Sequence, residues 1–384
     1  MSGIRSLGDL EHQARNRLPR SVFGYVGTGI EEDRASRRNL ESFDCWAFRP
    51  RVLAGALVPD LTTTIFGYTY AAPFGIAPMG GAALGCFRGD QVLAAGAAAE
   101  GLPMLLSGAS SIPMEAIPPL GGAPWFQAYM PADRTTAAAL VRRVWAAGFK
   151  VLVVTVDVPV MSNRRHYERL GFSLPLRPSL RLALDGIRHP SWFLDVLMRT
   201  MLSDGVPHYE NLGPERGGPL MGGSPVSRRR AQLGWDDVAA VRALWPGHLV
   251  LKGLLHPADA ERARQEGIDG IIVSNHGGRQ LDSAATALEA LPGMVAAAPD
   301  IPMMMDGGIR RGSDILKALA LGARLIFVGR PFYYAMALAR TNGVRHAAQL
   351  LKDELHRDLA MLGCQKATGL DPDLLVRICQ ERAQ

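Results

Sequence analysis

Cysteine is scarce: Cys45, Cys86, Cys364 and Cys379 are the only four in 384 residues. No two of them stand at the spacing of a metal-ligand pair or a redox pair, so neither a cysteine-built metal centre nor a thioredoxin-like activity is expected. An apolar leader is also missing. Met1 to Arg20 is dotted with charge, which points to a reducing, cytoplasmic setting in which the cysteines serve as packing residues and not as a disulfide framework. Basic residues exceed acidic ones by 42 to 36, but the arginines are scattered, with no basic helix and no aromatic-interleaved ladder. Nucleic acid is therefore not an expected partner. The excess suits an anionic substrate, a phosphate-bearing cofactor or an anionic membrane surface. No internal repeat or low-complexity tract is present. One span, Leu61 to Phe87, runs 27 residues without a charge, yet it holds two prolines, five glycines and a threonine run. A buried strand flanked by turns fits it better than a membrane helix.

What is there is a rhythm. With 48% hydrophobic and 20% charged residues the chain can bury a sizeable core. Eight short apolar runs stand out: Ala72–Met79, Pro103–Gly108, Pro124–Met130, Val151–Val158, His248–Gly253, Gly270–Asn275, Pro302–Asp306 and Leu325–Gly329. They are continuously apolar, as strands buried on both faces should be. Helical stretches separate most of them, for example Asp90–Glu100, Thr135–Ala147, Pro257–Glu266 and Ser313–Leu321. The spacing predicts an α/β fold of the TIM (β/α)8 barrel type, with a doubly wound sheet as the alternative. One domain is expected over residues 1–384. Residues 1–60 read as two helices and a link, and a further helix is expected near Val344–Leu362. Between Val158 and His248 about ninety residues carry no clear strand. A connection that long implies an insertion after strand four, residues 160–231, lying over the barrel mouth.

The chemistry concentrates at predicted strand ends. Ser274-Asn275-His276-Gly277-Gly278-Arg279-Gln280-Leu281-Asp282 follows Ile271-Ile272-Val273, at the C-terminal end of the sixth run, which in a barrel is the catalytic face. A histidine there can act as general base, and an arginine three residues on can clamp a carboxylate with two parallel hydrogen bonds. Asp306-Gly307-Gly308-Ile309-Arg310 and Val328-Gly329-Arg330 end the seventh and eighth runs. Glycine-rich, basic loops in those two slots suit a phosphate. Asp157 ends strand four and is either a partner for His276 or an ordinary turn aspartate. Lys252 ends strand five and either offsets negative charge on a reduced cofactor or reaches solvent as a rim lysine. No metal site is expected.

The nine-residue stretch from Ser274 resembles the active-site motif of the FMN-dependent α-hydroxy acid dehydrogenase/oxidase family, which includes L-lactate dehydrogenase, mandelate dehydrogenase and glycolate oxidase. The likeness starts near Phe23-Gly24-Tyr25, passes Phe48-Arg49-Pro50-Arg51 and reaches Gly329-Arg330, so it covers most of the chain. It implies FMN lying against Ala77, Pro78 and Met79 and contacting Ser107, Gln127, Tyr129, Thr155, Lys252 and Ser274. The phosphate would sit among Asp306, Gly307, Gly308, Ile309, Arg310, Gly329 and Arg330, with Asp306 on the ribityl chain. Arg279 and Arg164 would hold the substrate carboxylate, helped by the hydroxyls of Tyr25 and Tyr129. His276 would be the base, with Asp157 behind it. Four positions depart from or discriminate within the family. Met79 stands where many members have Thr. Gly80 resembles the dehydrogenases, where oxidases more often have Ala. Ala109 replaces the large aromatic of glycolate-preferring relatives, and Met161 replaces their Leu, so a roomier pocket is expected. A haem-fused form is not.

The resemblance implies oxidation of a small L-2-hydroxy acid to the 2-keto acid, with electrons passed to a quinone or other carrier. An oxygen-using oxidase is the alternative, and a non-catalytic FMN- or phosphate-binding barrel is the alternative from another class. A homotetramer is also implied. Within the insertion, Arg177, Arg181, Arg188 and Arg199 alternate with leucines and Trp192, and acids are few. This composition suits either an interfacial segment on the inner face of the cytoplasmic membrane or a lid packed on the barrel rim.

Overall fold

The eight apolar runs become eight parallel strands: β1 (Phe74–Ile76), β2 (Leu105–Ser107), β3 (Trp125–Ala128), β4 (Val151–Thr155), β5 (His248–Leu254), β6 (Gly270–Val273), β7 (Met303–Asp306) and β8 (Leu325–Val328). This computed structural model describes residues 3–54, 58–173, 177, 179–220 and 233–379. Around the sheet the order is β1-β8-β7-β6-β5-β4-β3-β2. A parallel bridge from Ile76 to Met104 joins the two ends, so the sheet closes into a barrel, as the alternation of strands and helices predicts. Helices Gly89–Ala99, Arg134–Ala146, Pro257–Gln265, Ala287–Ala297 and Gly312–Ala320 surround it.

The barrel interior is filled, not hollow. Leu105, Trp125, Val153, Val250, Ile272, Met304 and Phe327 point inward as one cluster. Its lower end is sealed by a hairpin, Thr63–Ile65 against Tyr68–Tyr70. Phe66 at the hairpin tip packs on Trp125 and stacks on His248, with centroids 5.4 and 4.6 Å apart. The uncharged span from Leu61 therefore holds a hairpin and a barrel strand, where one strand is expected. Among the described residues, no helix is long and apolar enough to cross a membrane.

Two further expectations need correction, and a third is extended. The leading segment forms three helices, Leu7–Arg17, Arg20–Gly27 and Arg34–Glu41, not two. The helix expected near Val344 is the second half of Arg330–Leu362, which is broken where Arg340 takes φ 53°, ψ −139°. Finally, Cys45 and Cys379 are joined in a disulfide, not left as separate packing residues. The strand Trp46–Phe48 pairs antiparallel with Leu375–Arg377, which brings the two Cα atoms to 4.8 Å, inside the roughly 4.4–6.8 Å window of bridged pairs. No local spacing could signal a pair 334 residues apart. Cys86 and Cys364 stay free, and burial pushes the Cys86 thiol up to about 11. Because the bridge restrains the unfolded chain, Cys379→Ser should cost about 2–4 kcal/mol of stability. It should lower the thermal midpoint by a few degrees, and dithiothreitol should do the same to the wild type only. Equal midpoints for all three samples would count against the bridge.

Between β4 and β5 the chain forms Arg165–Leu170, Leu180–Ile187, a continuous helical run through Pro190–Trp192, Phe193–Met198 and Arg199–Ser203, and then Trp235–Leu244. Residues 174–176, 178 and 221–231 of the expected insertion lie outside the described residues. Trp192 points inward: it is 8% exposed and its Nε1–H donates to Leu84 O at 2.7 Å. The tryptophan that suggested an interfacial anchor instead fastens the insertion to the barrel.

Candidate active site

Strand register sets the heights of the polar side chains at the barrel mouth. Thr155 pairs with Lys252 across β4 and β5, and Asp306 ends β7 beside Phe327. Lys252 is 4% exposed. Its ammonium donates to Ser274 Oγ at 2.9 Å and pairs with Asp306 Oδ2 at 3.0 Å. The Ser274 hydroxyl in turn donates to Asp306 Oδ1 at 2.5 Å. Burial disfavours the Lys252 charge, but Asp306 and Asp157 outweigh it and hold the ammonium above its ordinary range. Lys252 is thus an ionised group inside the barrel, not a rim lysine.

His276 adopts φ 59°, a left-handed conformation uncommon outside glycine. The turn is held by its own backbone N–H, which donates to Ser274 Oγ at 2.9 Å. It aims one edge of the imidazole at Asp157, with Nδ1 3.0 and 3.1 Å from the two carboxylate oxygens. The other edge faces the cavity, with Nε2 3.4 Å from the Tyr129 hydroxyl. Asp157 lies behind the ring because residue 253 is glycine at φ 109°. A Cβ there would stand 2.5 Å from the Asp157 side chain. Burial opposes ionisation of Asp157, but the charge and hydrogen bond of His276, with Lys252 behind, outweigh it and hold the carboxyl below its ordinary value. Of the two readings open from the sequence, the structure supports the partner, not the turn aspartate.

Two arginines converge opposite. Arg279 donates to the carbonyls of Tyr25 and Thr28 at 2.9 and 2.8 Å and to the Tyr167 hydroxyl at 2.6 Å. Arg164 donates to the same hydroxyl at 3.3 Å. The Tyr25 hydroxyl donates to Gly80 O at 3.0 Å, so as placed its proton is directed at backbone, and burial keeps that phenol protonated.

Lys252, Asp306, His276, Tyr129, Arg279, Arg164, Tyr167 and Tyr25 border one cavity of about 910 Å³, the upper part of the range for ligand sites, with Asp157 behind His276. The expected residues Ala77, Pro78, Met79, Gln127, Tyr129, Thr155, Lys252, Asp306, Gly307, Gly308, Ile309, Arg310, Gly329 and Arg330 line it, as do Tyr25, Ala109, Met161, Arg164, His276 and Arg279. Ser107 and Ser274 do not: they stand one layer back. Ser107 Oγ donates to Gln127 Oε1 at 3.3 Å, and Gln127 Nε2 donates to Thr155 Oγ1 at 2.9 Å. Sequence reasoning missed Tyr167, Phe172, Tyr209, Leu212 and Leu220, which also line the cavity. Tyr167 was within reach, three residues after Arg164 on a helix. Tyr209, Leu212 and Leu220 arrive from the far end of the insertion. They are placed by Asn211, which accepts from Met114 N–H at 2.9 Å and donates to Ile112 O at 2.8 Å.

The chain's residues fit FMN. At the β7 and β8 loops, burial, with Arg279 and Arg310 nearby, draws the Arg330 guanidinium down to about 10. A buried cation among cations calls for an anion, and a phosphate supplies one. Gly307 and Gly308 beside it have φ 100° and 84°, leaving backbone N–H groups on a concave surface open to a ligand.

A family model described as FMN-dependent dehydrogenase matches residues 14–377. The chain is 36% identical over 393 residues to an L-lactate dehydrogenase of Allorhizobium ampelinum, covering 97% of this chain and 99% of that protein. It is 36% identical over 370 residues to the (S)-mandelate dehydrogenase of Pseudomonas putida, covering 96% and 92%. Among solved structures it is similar to monotopic membrane protein (S)-mandelate dehydrogenase, with TM-score 0.89, 33% identity and coverage of 98% and 100%. It also resembles a mandelate oxidase, with TM-score 0.81, 33% identity and coverage of 97% and 98%. The chain belongs to the FMN-dependent dehydrogenase family.

Proposed function

We propose that this chain oxidises an L-2-hydroxy acid with a lactate- or mandelate-sized side chain to the 2-keto acid. The observation that carries the reading is the convergence of the Asp157–His276 pair and the Arg164–Arg279 pair on one cavity. Arg279 and Arg164 bind the carboxylate and fix the carbinol carbon near His276. Nδ1 is committed to Asp157, so Nε2 takes up the proton that leaves the substrate, and Asp157 stabilises the imidazolium. Tyr129, on the same edge, steadies the substrate oxygen. FMN, when bound, is the two-electron acceptor. Ala77, Pro78, Met79, Gln127 and Thr155 would face its ring, Asp306 its ribityl chain, and Gly307–Arg310 with Gly329 and Arg330 its phosphate. Lys252 places a fixed positive charge at the ring. The test is anaerobic: under argon, L-lactate or L-mandelate bleaches the yellow FMN-loaded protein, and admitted oxygen or a quinone analogue restores the colour. No bleaching by any 2-hydroxy acid would end the reading. Fast recolouring by oxygen alone would make the chain an oxidase.

Pocket size is read at Ala109, which abuts Gly80: a Cβ on Gly80 would stand 3.1 Å from that of Ala109. An indole at 109 has no room on that side and must enter the cavity. Ala109→Trp is expected to shift the kcat/KM ratio of L-mandelate to glycolate by about tenfold or more toward glycolate, since even a single methylene decides roughly 1–3 kcal/mol. An unaltered ratio removes Ala109 from the pocket wall.

The acceptor reading is a membrane quinone. Asp185 and Asp195, the acids of Leu180–Ile187 and Phe193–Met198, are both tied to the leading segment. Asp185 accepts from the N–H groups of Arg20 and Ser21 at 3.1 and 3.0 Å, and Asp195 pairs with Arg17 at 3.2 Å. The outer face is left with exposed Leu180, Leu184, Ile187, Leu194 and Leu202 and with exposed Arg177, Arg181 and Arg188. That pattern supports peripheral, reversible binding to an anionic membrane, each arginine adding about 1 kcal/mol. Replacing the five exposed residues by serine should abolish flotation with anionic vesicles and leave FMN content unchanged. Equal flotation makes the segment a lid. Exposed Val52, Leu53 and Val58 support a homo-oligomer, for which the family resemblance implies a tetramer.

A further inference from the structure

Below the insertion, three guanidinium groups converge on one carboxylate. Arg17, from the first helix, lies 3.2 Å from Asp195 Oδ2. Arg199 and Arg340 lie 3.5 and 3.8 Å from Oδ1. The nearby Arg88 is already matched by Asp204 at 2.7 Å, so the trio keeps two positive charges in excess. The groups are held in place without neutralisation. Arg17 Nε donates to Ala337 O at 2.7 Å. Arg199 and Arg340 lie over the Phe87 ring, 4.6 and 5.8 Å from its centroid. One terminal nitrogen of Arg340 is buried and has no hydrogen-bond partner among the described residues, since 3.8 Å is too long for one. The Arg199 and Arg340 side chains remain 49% and 38% exposed, so their outer edges reach solvent.

The backbone adds a second, independent observation. Arg340 sits at φ 53°, ψ −139°, a region strained for an L-residue and almost reserved for glycine. A glycine there would break the helix as well and at less cost. The conformation instead delivers a guanidinium into a cluster that is already cationic, where it finds less than half an ion pair. Strain of this kind, with unsatisfied like charges, is what a binding site shows before its ligand arrives.

We propose that Arg17, Arg199 and Arg340 form an anion site for a phosphate group, separate from the cofactor cradle. Guanidinium edges favour the tetrahedral oxygens of a phosphate by paired hydrogen bonds, and an anion of that charge neutralises the excess. The group is either the headgroup phosphate of an anionic lipid or a free phosphate in solution. Only the choice of source depends on the membrane reading above. The site is structural to neither substrate nor FMN, so none of its tests reads turnover.

The experiment uses full-length, FMN-loaded protein, whose cofactor cradle is filled. Inorganic phosphate is titrated against chloride at constant ionic strength, and the unfolding midpoint is followed. Three variants accompany the wild type: Arg340→Gly, which suits the backbone and therefore keeps the fold; Arg199→Gln at an exposed position; and, as control, Arg324→Gln at an exposed position beside the start of β8, outside both the cluster and the insertion. Binding to the folded state raises the midpoint with ligand concentration. The wild type and Arg324→Gln should show a saturable rise of a few degrees with phosphate, and Arg340→Gly and Arg199→Gln should lose it. Sedimentation with phosphatidylglycerol and phosphatidylcholine vesicles identifies the source. Severalfold weaker binding of the two cluster variants to phosphatidylglycerol assigns a lipid headgroup; unchanged vesicle binding with the phosphate response intact assigns a soluble phosphate. A wild type that responds to neither probe, or cluster variants that respond as Arg324→Gln does, overturns the site.

Discussion

His276→Asn should keep its FMN and lose reduction of that FMN by substrate. Asparagine tolerates the left-handed backbone that His276 occupies at φ 59°, so the loop Ser274–Asp282 should retain its course and the cofactor its cradle. What disappears is the cavity-facing Nε2 and, with it, the one group among the described residues that is placed to accept the substrate proton while paired with a carboxylate. Loss of a general base typically costs about 10²–10⁴-fold, and more when base and orienting partner act as a unit. Stopped-flow absorbance under argon reads the step directly; a reduction rate within a few fold of wild type would remove His276 from the mechanism. Asp157→Asn is the companion. Because Asp157 is held below its ordinary value, it stays a carboxylate through the acid range where carboxyls ordinarily protonate. Its stabilising contribution is present above the unfolded value and is lost only as pH falls through the depressed folded one. An acid limb of kcat/KM near neutrality is therefore not Asp157 titrating. In Asp157→Asn that limb should move to lower pH, since the imidazolium has lost its counter-charge.

The second large effect is on stability and cofactor retention. Lys252→Met leaves Asp306 inside the barrel with the Ser274 hydroxyl as its remaining donor in the triad. Removing one partner of a buried pair costs about 3–5 kcal/mol, because the other charge stays behind unpaired. The variant should unfold at markedly lower denaturant and release FMN on gel filtration. Lys252→Met/Asp306→Leu separates the two consequences. With both charges gone, stability should largely recover, yet reduction by substrate should stay slow, since no positive charge faces the reduced ring. A double variant that reduces its flavin at the wild-type rate would show that Lys252 serves the fold alone.

What could be read in advance follows a physical line. Parallel barrel strands are buried on both faces, so each one leaves a continuous apolar run, and all eight runs fell on strands in order. The loops after them were legible for the same reason: His276, Arg279, Lys252 and Asp306 each stand within a few residues of a strand end. What depends on long-range approach was not legible. Nothing near Cys45 announces Cys379, and nothing near Leu212 announces a cavity whose walls come from residues as far apart as Tyr25 and Arg330. The hairpin at Thr63–Tyr70 was hidden because its turn uses Phe66 at φ 53° followed by Gly67, not an Asn-Gly pair. Trp192 misled because composition cannot tell an outward indole from one turned toward Leu84. Ser107 and Ser274 were expected on the cofactor because the family resemblance put them there by position, and a position in a motif does not tell which of two neighbouring layers a hydroxyl occupies.

The barrel's first strand has one more consequence, in the order of synthesis. β1 bonds to β8 along its length, Phe74 to Ile326 and Ile76 to Val328, and the strand at Trp46 waits still longer for Arg377. On the ribosome, at about 5–20 residues per second, β1 stands for some tens of seconds as an apolar edge without its neighbour. An unpaired edge of that kind invites pairing with other nascent chains. Yield of soluble protein should therefore rise when chaperones that shield nascent apolar segments are abundant, and should fall when elongation is slowed or polysome density is raised, independently of any change to the catalytic residues.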